Sequence, residues 1–210
     1  IIHRLNITHP IDPVQGLDNA QRGILIHETM SKIWNTLRYS IALKRKTDQE
    51  LNLLIDKTTT ATFLNYIRRF ESLKSENLFA LEKNRVKKLI KNWLQLETQR
   101  NPFEVINTEK KTKIKLGALS FCLAIDRIDQ IGQKLFVIDY KTGTLSPARW
   151  NDERLLDPQL PAYVLSVEPH ADGVAYAQLN ADDLRWIGQS AIDLAVSYTH
   201  LRAHETPEHR

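Results

Sequence analysis

A carboxylate and an ammonium stand two residues apart at the end of an apolar run. In LFVIDYKTG, residues 135–143, Leu135, Phe136, Val137 and Ile138 lead without a turn into Asp139, Tyr140 and Lys141. On a strand, side chains alternate between faces, so Asp139 and Lys141 share one face, roughly 6.6 Å apart along the chain. A second carboxylate, Asp126, closes the apolar stretch of FCLAID. Asp126 and Asp139 are symmetric about the middle of IGQK, so a tight antiparallel hairpin would set them side by side, about 5 Å apart. Carboxylates that close repel unless something neutralises them. A hard divalent cation does so, and Mg²⁺ prefers oxygen ligands with several waters retained. Lys141 beside such a cation would orient a water nucleophile and offset charge on phosphorus. The plain alternative is a surface ion pair, since D-x-K is a common pattern. Its place at the end of an apolar strand, opposite a symmetric Asp126, weighs against that. Asp129 lies three residues after Asp126 and faces the other way, so it is not counted as a ligand. Arg127 also points away, toward phosphate or solvent.

These residues need elements to hold them. Residues 1–17 contain Pro10, Pro13 and Gly16 without any period and read as a lead-in or linker. Residues 18–100 read as a helical region. Asp18 with Gln21 resembles a capping box, and Ile26, Met30, Ile33 and Leu37 follow at helical spacing, predicting a helix to about Ser40. After KRKTDQE a second helix is expected, with Phe63, Tyr66, Ile67 and Phe70 as its buried stripe. A third carries Val86, Leu89, Ile90, Trp93 and Leu94 inward and Lys87, Lys88 and Lys91 outward. At Asn101-Pro102 the character changes. FEVINTE, KIKL, FCLAIDRID and LFVIDYKTG read as strands of an antiparallel meander, with turns at GALS and IGQK. DERLLDPQLPAYVLSV then reads as a helix and GVAYAQLN as a strand. Residues 101–196 therefore form an α/β (α+β) core, and 197–210 form a tail, disordered or non-native, excluded from the fold.

Composition narrows the function classes. The chain has 210 residues and a net charge of +4. Residues 68–115 hold thirteen Lys or Arg against six Asp or Glu. A basic block beside an acidic pocket suits a polyanion held near a metal, and Lys87, Lys88 and Lys91 are its candidate contacts. A solvated helix face would look the same. The single Cys122 excludes an iron–sulfur cluster or zinc ribbon held by this chain alone. No apolar run reaches the ~20 residues that span a bilayer. Without a secretory signal the expected setting is cytoplasmic. Position 1 is Ile, which suits a piece of a longer polypeptide.

Taken together, LAIDRID, LFVIDYKTG and DPQLPAY resemble the PD-(D/E)XK nuclease superfamily, specifically its RecB-like, AddAB-type exonuclease domains, from about Arg22 to Leu179. The resemblance implies a restriction-endonuclease-like core, a central mixed sheet flanked by helices and preceded by a helical N-terminal region. It implies metal-dependent (Mg²⁺ or Mn²⁺) DNA cleavage in repair or recombination, acting on single strands beside a helicase subunit or domain. His27, in RGILIHETMSKIW, would join Asp126 and Asp139 as a metal ligand. The Tyr140 carbonyl would add an oxygen, and Lys141 would be the catalytic lysine. Gln159 and Tyr163 match the family's Q-x-x-x-Y motif, which helps hold the catalytic residues or DNA. Glu109 matches an acidic residue before the first hairpin and is left out of the site. The alternative is an inactive nuclease-like module that binds DNA or braces a complex, since fold does not fix function.

Overall fold

The computed structural model describes residues 16–116, 119–143 and 171–190. The first helix, α1 (Asn19–Leu37), starts at the expected capping box: Gln21 N–H donates to Asp18 Oδ1 at 2.7 Å and Asp18 N–H to Gln21 Oε1 at 3.2 Å. Ile26, Met30, Ile33 and Leu37 form its buried stripe. The helix stops at Leu37 because Arg38 takes a φ of 55°, a left-handed conformation that no α-helix continues through. A short α2 (Ser40–Lys44) follows.

Helix α3 (Asp48–Tyr66) opens on a second capping box, Thr47 with Glu50. Its buried face is Leu51, Ile55, Thr59, Thr62 and Phe63. The stripe expected from Phe63, Tyr66, Ile67 and Phe70 is thus only partly right. The helix ends at Tyr66, so Phe70 is buried from the following loop, while Tyr66 and Ile67 are half-buried. A 3₁₀ turn (Glu71–Lys74) leads into α4 (Glu76–Glu97), which buries Val86, Ile90, Trp93 and Leu94.

The sheet has five strands in sequence order: β1 (Glu104–Leu116), β2 (Leu119–Ile131), β3 (Lys134–Lys141), β4 (Gly173–Asn180) and β5 (Asp183–Ser190). β1, β2 and β3 form the antiparallel meander, β4 runs parallel to β3, and β5 returns antiparallel. The result is a mixed sheet with helices packed on it, the α/β restriction-endonuclease-like arrangement. β5 is an addition to the sequence reading. Its Gly188 pairs with Ala175, and a Cβ there would collide with the Val174 carbonyl. The helix expected over DERLLDPQLPAYVLSV lies outside the described residues, as does the tail.

Strand alternation gives the sheet two apolar faces. Phe136, Ile138 and Tyr140 join Trp34, Trp93 and the helical side chains in the main core. Val137 joins Ile128, Tyr176 and Ile187 in a second cluster. Each large apolar side chain fully buried in this way contributes roughly 1.5–3 kcal/mol.

Candidate active site

β2 and β3 pair as Ile131↔Lys134, Ile128↔Val137 and Arg127↔Ile138. Continued by one residue, this register sets Asp126 across from Asp139, the placement that their symmetry about the turn predicts. Asp126 is fixed by two contacts. Its Oδ2 accepts the Tyr140 N–H at 2.8 Å, and its Oδ1 lies 3.2 Å from His27 Nδ1 on α1. The His27 ring stands edge-on to the Tyr140 ring, centroids 5.8 Å apart. Asp139 is 2% exposed, and its Oδ2 meets Lys141 Nζ at 2.8 Å. The same ammonium lies 5.1 Å from the centre of the Tyr176 ring.

The electrostatics reflect two acids held close together. Burial, reinforced by the charge of Asp126, pushes the Asp139 carboxyl up to about 6 against the pull of Lys141 and His27. Burial alone would lower the His27 imidazole. The hydrogen bond and charge of Asp126, with the charge of Asp139, outweigh it and hold the imidazole above its ordinary value. Strongly raised carboxyls of this kind cluster at functional sites, though structural ion pairs also shift them.

A search of protein families matches the PD-(D/E)XK nuclease superfamily over residues 3–205. The chain belongs to the PD-(D/E)XK nuclease superfamily. Membership points to a nuclease, a hydrolase of phosphodiester bonds, and members of the superfamily generally use a divalent metal such as Mg²⁺. No curated protein sequence matches the chain.

Against this membership, the donor chemistry fits a hard divalent cation: two adjacent carboxylates, one of them resisting ionisation, beside an imidazole. The orientation is a different matter. Among the described residues no group of three or more His, Cys, Asp or Glu side chains is gathered as a metal cage. The set expected from His27, Asp126 and Asp139 stands as two neighbouring pairs instead. Each carboxylate turns to its nearest positive partner, Asp126 to His27 and Asp139 to Lys141. An open cleft of about 430 Å³ reaches the first pair through His27, lined also by Asn19, Gly23, Glu28, Tyr66, Glu109 and Thr142. Glu109, left out of the sequence-derived site, therefore reaches its edge. It has a φ of 51° and lies between Thr108↔Arg127 and Lys110↔Ile125 on the ladder, level with Asp126.

The other predicted residues divide. Lys87 and Lys91 are tied to α3, Lys87 Nζ to Asp56 at 2.6 Å and Lys91 Nζ to Asp48 at 3.2 Å, so both brace two helices. Lys88 is exposed and makes no ion pair among the described residues. Gln159 and Tyr163 lie outside the described residues.

Arg127 contacts neither phosphate nor solvent. It is fully buried, with Nε and Nη2 on Asp129 at 2.6 Å and Nη1 on Glu97 at 2.7 Å. It also donates to the Tyr140 hydroxyl at 2.9 Å. Arg100 completes the group, donating to Glu97 and Asp129 at 2.7 and 2.8 Å. Asp129 lies two residues further on the same strand, but Glu97, at the end of α4, lies thirty residues before Arg127, so the sequence around Arg127 gave no sign of the full group.

Proposed function

We propose that this chain is a metal-dependent deoxyribonuclease module, exonucleolytic and acting on single-stranded DNA presented by a helicase subunit or domain in repair or recombination. The observation that carries the reading is the pairing of β2 with β3, which puts Asp126 level with Asp139 while Lys141 Nζ stands 2.8 Å from Asp139. The RecB-like choice within the superfamily rests on the motifs LAIDRID and DYKTG together with His27.

The residues divide the work as follows. Asp126, Asp139, His27 and the Tyr140 carbonyl are the groups that would hold Mg²⁺ or Mn²⁺. When bound there, the cation supplies Lewis acidity and lowers the pKa of a water nucleophile. The Tyr140 N–H and His27 fix the direction of Asp126. The ammonium of Lys141 faces the charge that develops on the phosphoryl oxygens and orients the attacking water. Lys88 on α4 contributes to guiding the backbone.

The pairing of both carboxylates with protein cations favours a second reading, a nuclease-like brace without chemistry. Two experiments separate them. Mg²⁺ titration by calorimetry gives binding for the nuclease and none for the brace. End-labelled single- and double-stranded DNA incubated with Mg²⁺ gives cleavage that Lys141→Ala or Asp139→Ala reduces by roughly 10³-fold or more while the fold persists. Full activity of Lys141→Ala removes the role given to that lysine.

A further inference from the structure

The cleft beside His27 has an aromatic lining residue, Tyr66, with two arginines next to it in the chain. Tyr66, the last residue of α3, lines the cleft together with His27. Phe70 stacks on the Tyr66 ring, centroids 5.0 Å apart and planes 26° from parallel, and is itself 4% exposed. One face of the tyrosine is therefore backed by a fixed ring, and Tyr66 also lines the cleft. The Arg69 guanidinium lies 5.7 Å from the centres of both rings. Arg68 and Arg69 are exposed, and neither pairs with a carboxylate among the described residues. This differs from Lys83, Lys87 and Lys91, which α3 neutralises through Asp56 and Asp48. Glu28, which also lines the cleft, pairs with Lys32 at 2.6 Å and accepts a hydrogen bond from the Tyr66 hydroxyl, which fixes the ring in place.

An aromatic ring backed by a second ring, flanked by unpaired guanidiniums and opening on a cleft, is what a nucleobase on a charged strand requires. The base stacks on the ring, arginine adds a cation–π contribution, and the same arginine meets the adjoining phosphate. We propose that Tyr66 and Arg69 form a nucleotide subsite at the mouth of the cleft, Tyr66 stacking one base of a single strand whose phosphodiester lies at Asp126 and Asp139. The proposal rests on the nuclease reading for its substrate, but stacking itself needs no catalysis. A base on Tyr66 positions the neighbouring phosphate by contact with a part of the substrate that does not react. Paired bases are already stacked on their neighbours, so the subsite favours single strands without reading their sequence.

The test measures binding apart from cleavage. Fluorescein-labelled dT15, and the same oligonucleotide with its bases replaced by abasic sites, are titrated with the protein in EDTA and followed by anisotropy. The wild type is expected to bind dT15 roughly tenfold more tightly than the abasic strand. Tyr66→Ala loses that preference, and Tyr66→Phe keeps it. Arg69→Ala weakens both strands and lowers the salt dependence of binding. If Tyr66→Ala, folded by circular dichroism, still prefers bases as the wild type does, the subsite is overturned. If wild type and Tyr66→Ala alike ignore the bases, it is overturned too. The nuclease reading is judged separately, by wild-type cleavage of bis(p-nitrophenyl) phosphate with Mg²⁺ or Mn²⁺. No cleavage together with a Tyr66-dependent base preference would sink the chemistry and keep the subsite.

Discussion

Adjacent residues of β2 and β3 serve two clusters that use the same chemistry to opposite ends. Arg127, Asp129 and Tyr140 point into the main core with Glu97 and Arg100; Asp126 and Asp139 meet His27 and Lys141 beside the cleft that His27 lines. In the core, two guanidiniums face two carboxylates, all fully buried. Burial works against the charged form of Glu97, yet Arg127 and Arg100 win and hold it below the usual carboxylate range. At the cleft, Asp139 is pushed the other way, up to about 6. The difference is geometric. In the core each carboxylate touches two guanidiniums, which match its oxygens in fork fashion. At the cleft a carboxylate faces another carboxylate, with one ammonium and one imidazole to share. The first arrangement is closed on itself, while the second gains from any added positive charge.

The contrast can be broken at either end. Arg127→Leu leaves two buried carboxylates, Glu97 and Asp129, to share Arg100 alone and is expected to cost about 3–5 kcal/mol of unfolding free energy in urea titrations. Asp139→Asn should act in the opposite sense. In the native state its carboxyl holds a proton up to about pH 6, against 3.8 ordinarily. The native state therefore binds more protons than the unfolded chain across that window, and stability falls as pH rises through it. Above pH 6 the full cost of about 3 kcal/mol is present in metal-free protein. Asp139→Asn removes it, so the variant should be the more stable at pH 7.5 and lose that advantage near pH 4. A variant less stable than wild type at pH 7.5 would mean that Asp139 is as well compensated as Glu97. The smallest effects belong to the lysines of α4. Lys87→Ala should cost about 0.2–1 kcal/mol of stability. Lys88→Ala should leave stability alone and reduce the log–log salt slope of DNA binding by about one.

The sequence exposed much of this and concealed the rest for identifiable reasons. Capping boxes at Asp18 and Thr47 are local and set two helix starts. The register of Asp126 with Asp139 was legible because a two-residue turn fixes it by counting alone. Tyr66 and Phe70 misled because four-residue spacing persists past the point where α3 ends. β5 was missed because DLRWIGQS sets Leu184 and Trp186 on one parity and Ile187 on the other, around a glycine. The burial of Arg127 was invisible because Glu97, at the end of α4, and Arg100, just after it, are far away in the chain. Facing of side chains could be counted along the strands. Their rotamers could not, and so the ligand triad expected at the cleft stands as two pairs.

The helix that carries His27 is anchored at both ends by groups outside the cleft. Near its start Arg22 grips Glu82 of α4 through Nε and Nη2, at 3.1 and 3.2 Å. Just past its end, the Arg38 carbonyl accepts the Val105 N–H at 2.7 Å, where β1 begins. With both ends tethered, α1 has little freedom to slide along its axis or swing away from the sheet. Any rearrangement that parts His27 from Asp126, or Lys141 from Asp139, falls to rotation about side-chain bonds rather than to movement of the helix. The backbone frame is built in advance, and readiness at this centre is a question of which way a few side chains are turned.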